Sequence, residues 1–213
     1  WSKKYSKKLD NEKFKFKDKK KIKLGYFSSD FKGHAVATLI KSLFINHDKD
    51  KFELYGFNLS DKNLKENIDE KIVENFKDFF DCYKKEDFEI KKLCKSLSID
   101  IAIDLNGYTK ESRSSIFRNK CTPIQINYLG FPGTMGDKVY DYIIGDKTVI
   151  PEEDMENYSE KIIFMPNSFF PNSFKNEHFE TDLKKSEFLL PNDKFVFCCF
   201  NNLIKINEFI IDV

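Results

Sequence analysis

The 213-residue sequence is poor in long apolar runs: its longest is Phe195–Phe200, six residues, against the roughly 20 that a membrane helix requires. No secretory leader pattern opens it, and its first residue is Trp1 rather than Met, as expected of a piece cut from a longer protein. Arginine is nearly missing, with Arg113 and Arg118 standing against 34 lysines. The net charge of +1 excludes a global polyelectrolyte attraction to nucleic acid. The five cysteines (Cys82, Cys94, Cys121, Cys198, Cys199) are odd in number and form no CxxC pair. That argues against a disulfide framework or a zinc site and for a reducing, cytoplasmic compartment. Cys198 and Cys199, inside an apolar run, read as small core residues. Asn58-Leu-Ser and Asn157-Tyr-Ser match the glycosylation sequon and, without a secretory signal, are treated as chance.

What is abundant is apolar and aromatic material. Hydrophobic residues make up 40% of the chain, with 23 Phe and 9 Tyr, enough to build a core and exclude global disorder. Charge is uneven: residues 1–23 carry eleven lysines against three acids. This segment reads as a basic linker, because neither aromatic nor arginine-rich patterning accompanies it.

After the linker, strand-like and helix-like patterns alternate. Strands are expected at Ile22–Phe27, Phe52–Leu59, Phe79–Cys82, Ile99–Leu105, Pro123–Leu129, Tyr140–Gly145, Lys161–Met165 and Phe195–Phe200. Helices are expected at Ala35–Ile45, Leu64–Glu74, Asp87–Leu97 and Glu111–Phe117, with another beginning beyond Lys205. This alternation indicates βαβ units and a mostly parallel α/β sheet, whose ligands sit beyond the carboxyl ends of the strands. The organisation expected is a basic linker over 1–20, a Rossmann-like lobe over 21–165, a connector over 166–193, and the first strand and helix of a second lobe over 194–213.

Four loops stand at strand ends. In Ser28-Ser29-Asp30-Phe31-Lys32-Gly33-His34, Asp30 and His34 can meet near a helix N-terminus, where the dipole favours a neutral imidazole able to accept a proton. Alternatively, Asp30 or Ser29 caps the helix and His34 packs. In Asn106-Gly107-Tyr108-Thr109-Lys110, Tyr108 and Lys110 can reach a ligand, or the segment is an Asn-Gly turn followed by a Thr109 helix cap. Leu129-Gly130-Phe131-Pro132-Gly133-Thr134-Met135-Gly136 concentrates three of the eight glycines and can expose backbone N–H groups to a ligand, or it is an irregular turn. It is neither GxGxxG nor a Walker loop, so a dinucleotide-dependent oxidoreductase lacks its fingerprint. In Asn201-Asn202-Leu203-Ile204-Lys205, Lys205 can neutralise a phosphate or be an ordinary lysine. His47 and His178 lie in charged segments and read as solvent-facing.

In order along the chain, Leu24-Gly25-Tyr26-Phe27-Ser28-Ser29-Asp30-Phe31-x-x-His34, Asp104-Leu105-Asn106-Gly107-Tyr108-Thr109-Lys110 with Arg113, Pro123-Ile124-Gln125, Leu129–Thr134, Asp141–Ile144, Tyr158–Lys161, Met165-Pro166 and Phe200–Lys205 resemble the first half of the catalytic region of the O-linked N-acetylglucosamine (O-GlcNAc) transferase and SPINDLY family. The resemblance spans about residues 20 to 210. It implies a GT-B glycosyltransferase fold, with one lobe here and the start of the second. It also implies inverting, metal-independent transfer of a sugar from UDP-GlcNAc to Ser/Thr hydroxyls of an acceptor protein. The residues matching Asp30 and His34 lie near the reacting centre, and those matching Leu129, Gly130 and Pro132 lie against the donor sugar, with Phe131, Gly133 and Thr134 completing that loop. The lysine matching Lys205 stabilises the leaving diphosphate, and the residue matching Asn202 contacts the nucleotide. The implied partners are the nucleotide-sugar donor, a protein acceptor, a C-terminal lobe and preceding tetratricopeptide repeats; nucleic acid and membrane are not among them. The short connector points to a bacterial type. The alternative is a non-enzymatic α/β module that binds a ligand or protein through the same loops.

Overall fold

The computed structural model describes residues 20–60, 68–118, 120–136, 138–171, 183–200 and 206–208. Its centre is a seven-stranded, wholly parallel sheet in the order β3-β2-β1-β4-β5-β6-β7. The strands are β1 (Ile22–Ser28), β2 (Phe52–Asn58), β3 (Asp78–Asp81), β4 (Ile101–Asp104), β5 (Ile124–Tyr128), β6 (Tyr142–Gly145) and β7 (Lys161–Phe164). The helices are α1 (Ala35–Asn46), α2 (Glu70–Val73), α3 (Asp87–Leu97) and α4 (Ser115–Arg118), with 3-10 turns at Glu152–Asn157 and Lys185–Phe188.

The inner strands are continuous apolar runs because both of their faces are covered. In β1, neighbouring residues serve opposite layers. Leu24 and Tyr26 join Val36, Ile40 and Phe44 of α1 and Ile72 of α2 on one face. Phe27 packs on the other face with Phe57, Ile90 and Cys94 of α3, and Ile116 and Phe117 of α4. Phe27 stacks flat on Phe57, ring centroids 4.3 Å apart.

Chain order runs outward from β1 to β3 on one side and from β4 to β7 on the other. The direction of winding therefore reverses between β1 and β4, which pair from Leu24↔Ile101 to Phe27↔Asp104. Helices on opposite faces diverge at such a reversal and leave a crevice beyond the strand ends. The loops after β1 and β4 open at that point.

The expected strands of this lobe are present with ends moved by one or two residues. Two helices are shorter than expected. Between Leu64 and Glu74, α2 covers only Glu70–Val73 and residues 61–67 lie outside the described set. Glu111–Phe117 reduces to α4, because Glu111 adopts a left-handed φ of 64° that a helix cannot continue through. His47 is half-buried rather than solvent-facing; Tyr26 Oη lies 2.7 Å from its Nε2, and burial lowers its pKa. His178 lies outside the described residues.

The chain divides into two compact units, Trp1–Ser173 and Phe174–Val213. In the second, Phe195–Phe200 forms no strand, contrary to the pattern of the sequence. A strand exists only through ladder pairing, and these residues have none: Phe197 is 90% exposed, and Cys198 and Cys199 are exposed rather than core residues. The expected basic linker and the helix beyond Lys205 fall largely outside the described residues.

Candidate active site at the β1–β4 crevice

A cavity of about 260 Å³ opens at the reversal point, lined by Asp30, Lys32, His34 and Val36 from the β1 side, Thr109, Lys110 and Glu111 from the β4 side, and Gly130 after β5. Three loops read separately in the sequence therefore meet here.

Asn106, 1% exposed, ties the first two together. Its Oδ1 accepts from Ser29 N at 2.8 Å, and its Nδ2 donates to Ser29 Oγ at 2.9 Å and Asp30 Oδ2 at 2.7 Å. Its own N–H donates to Asp104 Oδ1 at 3.0 Å. Asp104 accepts a second hydrogen bond, 2.6 Å long, from the Tyr140 hydroxyl. Burial raises the Asp104 pKa despite these donors, and burial together with the Asp104 carboxyl raises that of the Tyr140 hydroxyl.

His34 is itself the N-cap of α1, a position that one of the two sequence readings gave to Asp30 or Ser29. Its Nδ1 accepts from Val36 N at 3.3 Å and lies 3.8 Å from Asp30 Oδ2. With Nδ1 occupied as an acceptor, the neutral ring carries its proton on Nε2. The half-exposed imidazole is thus set to donate through Nε2, while the Asp30 carboxylate is a proton acceptor at the cavity wall. Across the cavity, Lys32 Nζ pairs with Glu111 Oε2 at 3.2 Å. Lys110 is exposed on the same rim.

The glycine-containing loop is held by its surroundings. A Cβ on Gly130 would collide with the Leu105 carbonyl, and one on Gly107, at φ 57°, would lie 2.6 Å from Phe131 Cβ; both positions must be glycine for the loops to approach. Leu129 sits at φ 77°, a strained conformation for a bulky residue. Buried Glu160 accepts from Thr134 Oγ1 and Met135 N, each at 2.8 Å, and Tyr158 Oη donates to the Pro132 carbonyl at 3.0 Å. The segment Tyr158–Lys161 thus buttresses the loop. Tyr108 Oη donates to Met135 O at 2.8 Å, latching the second loop to the third.

Of the residues singled out from sequence, Asp30, His34, Lys110 and Gly130 share the cavity lining. Leu129 does not: it is buried in the core layer beneath. Phe131 packs on Tyr108, the Gly133 carbonyl accepts from Asn127 Nδ2 at 3.3 Å, and Pro132 and Thr134 are committed to Tyr158 and Glu160. Lys205 and Asn202 lie outside the described residues. The Asn-Gly turn reading missed Asn106 as the organiser, and the loop-by-loop reading missed Glu160. Both lie within the quoted motifs, but their role depends on partners 76 and 25 residues away. Arg113 proves structural: it donates to the carbonyls of Cys82 and Lys85 at 2.9 Å each and pairs with Asp87 at 2.5 Å, pinning the start of α3. Among the described residues no group of three or more His, Cys, Asp or Glu is placed to hold a metal ion, and no helix is long and apolar enough to cross a membrane.

The sequence profile of glycosyl transferase family 41 matches residues 4–183. A probable UDP-N-acetylglucosamine–peptide N-acetylglucosaminyltransferase of Arabidopsis thaliana, SEC, is 35% identical over 198 residues, 91% of this chain and 20% of the relative. The UDP-N-acetylglucosamine–peptide N-acetylglucosaminyltransferase of Caenorhabditis elegans is 33% identical over 164 residues, 75% of this chain and 14% of the relative. Among solved structures, a mutant of the Thermobaculum terrenum O-GlcNAc transferase superposes with a TM-score of 0.66 at 22% identity, over 71% of this chain and 29% of that one. The lobe thus has the Rossmann-like GT-B fold expected. The chain spans about a fifth or less of the length of these curated relatives.

Proposed function

The chain belongs to glycosyl transferase family 41, and from that premise we propose that it forms part of the catalytic region of an enzyme that moves N-acetylglucosamine from UDP-GlcNAc to Ser/Thr hydroxyls of proteins. The observation that carries this reading is the cavity at the β1–β4 reversal, which Asp30, His34 and Gly130 line together. Transfer with inversion needs a proton acceptor beside the incoming hydroxyl and charge stabilisation at the departing diphosphate. In this reading Asp30 takes the hydroxyl proton and His34 donates a hydrogen bond through Nε2, steadying the reacting partners. Lys205 supplies the positive charge at the diphosphate, which makes the reaction independent of a metal ion. Asn202 contributes to nucleotide binding, and Lys110 forms part of the rim over which the donor and acceptor enter. Tyr108, latched to Met135 O outside the cavity lining, supports binding by holding the second loop against the third. A second lobe completes the nucleotide site, tetratricopeptide repeats present the acceptor, and the enzyme works in the cytoplasm, where its odd set of cysteines suits a reducing medium.

The test is transfer of radiolabelled sugar from UDP-GlcNAc to acceptor protein by the complete protein that contains this chain, with other nucleotide sugars run alongside. Incorporation from UDP-GlcNAc at Ser or Thr is the expected result. Tight binding of nucleotide sugar or protein without transfer would replace this reading with the non-enzymatic binding module.

A further inference from the structure

The transfer reading gives Asp30 the proton, and the role inferred for its neighbour Asn106 rests on that reading. Asp30 is 9% exposed, and Asn106 Nδ2 makes the one side-chain hydrogen bond to its carboxylate among the described residues. The orientation of the Asn106 amide is determined. Its Oδ1 must be the atom that meets the Ser29 N–H, because the flipped amide would set N–H against N–H and lose the bond to Asp30. The two hydrogens on Nδ2 are then both committed, to Ser29 Oγ and Asp30 Oδ2, leaving Thr109 Oγ1 at 3.4 Å as a marginal third neighbour. From behind, the Asn106 backbone N–H is anchored on buried Asp104, which Tyr140 holds in turn. A buried amide with no spare hydrogen therefore locks the loop after β1 to the loop after β4.

We propose that Asn106 is a positioning residue for sugar transfer. It aims the Asp30 carboxylate into the cavity and sets its separation from His34, while itself staying behind the reacting atoms. A group that only joined two loops would affect stability. A group that orients the proton acceptor also governs the pH dependence of turnover.

The experiment uses the complete protein, with transfer kinetics measured across pH and thermal melting run on every variant. Asn106→Asp is nearly isosteric but replaces the amide donor with a carboxylate facing Asp30. Two such groups resist ionising together, so the acid limb of the kcat/KM profile should move up by about one pH unit or more. At neutral pH kcat should fall on the order of 10–100-fold, as expected for losing a hydrogen bond to a charged group, with the donor KM within about twofold. Asn106→Ser adds no charge and carries the test if the first variant does not fold: kcat falls to a similar degree with the donor KM unchanged. Folded variants with wild-type kcat and acid limb, altered only in melting temperature, would overturn the inference. A complete wild-type protein that transfers no sugar would overturn the functional reading, and this inference with it. Normal wild-type transfer with indifferent variants would overturn this inference alone.

Discussion

At position 34 the imidazole both caps α1 through Nδ1 and lines the cavity, and substitution can separate the two. His34→Ala loses the cap, which costs about 1 kcal/mol, or roughly 2–4 °C in melting temperature for a chain of this size. His34→Asn restores a capping oxygen but not the ring donor. Calorimetry should therefore find the Asn variant near wild type and the Ala variant lower, while transfer assays on the complete protein find both impaired. If the Asn variant turns over normally, the ring has no part in the chemistry. Asp104 gives a pH signature of a different kind. Burial raises its pKa above the ordinary 3.8, so the fold favours the protonated form. Stability from this group is then fully present below the unfolded-state value and is lost as pH rises through the folded-state value. Asp104→Asn mimics the protonated carboxyl, so the variant should be more stable than wild type at neutral pH and the difference should close toward pH 4. Urea titrations at several pH values measure this; a variant less stable than wild type at neutral pH would contradict it.

Elements set the site through their ends rather than their middles. β1 and β4 are level, so the residues that come after them emerge side by side, and the two Asn106 bonds to Ser29 Oγ and Asp30 close that junction. The glycine-containing loop is held from a third direction by Glu160, just before β7. Glu160→Ala leaves the buried Met135 N–H unpaired and removes the carboxylate that accepts from the Thr134 hydroxyl, which should cost about 1–3 kcal/mol. Hydrogen exchange should show faster amide exchange across Leu129–Gly136 with little change in α1. Uniform loss of protection over the whole lobe would mean that Glu160 supports the fold generally and not this loop in particular.

Over the whole molecule, the described cavity is smaller than the roughly 300–1,000 Å³ of typical small-molecule sites, and the chain spans about a fifth or less of its relatives' length. A nucleotide sugar needs more wall than the described cavity supplies. The isolated 213 residues should therefore transfer no sugar from UDP-GlcNAc, measured by label incorporation into acceptor protein with folding verified by circular dichroism. Turnover by the isolated chain would show that the lobe carries a complete site.

The alternation of β-branched and aromatic runs with helical spacing was enough to read the α/β class and the strands of the lobe, because buried parallel strands and amphipathic helices write their periods directly into the chain. The ordered motifs were likewise enough to read the family. Where the period is short or absent, sequence misled: Phe195–Phe200 looks like a strand and is none, since a ladder needs partners that a pattern cannot supply. Glu111 also looked helical until its left-handed backbone ended the helix. The division of labour within the loops was decided by tertiary structure alone. Leu129 turned into the core, Thr134 was tied down by Glu160, and Asn106 took the place between Ser29 and Asp30 because winding reverses between β1 and β4. Composition and spacing report what a residue can do; which groups meet depends on contacts 76 residues apart that only the folded sheet brings within a hydrogen bond's length.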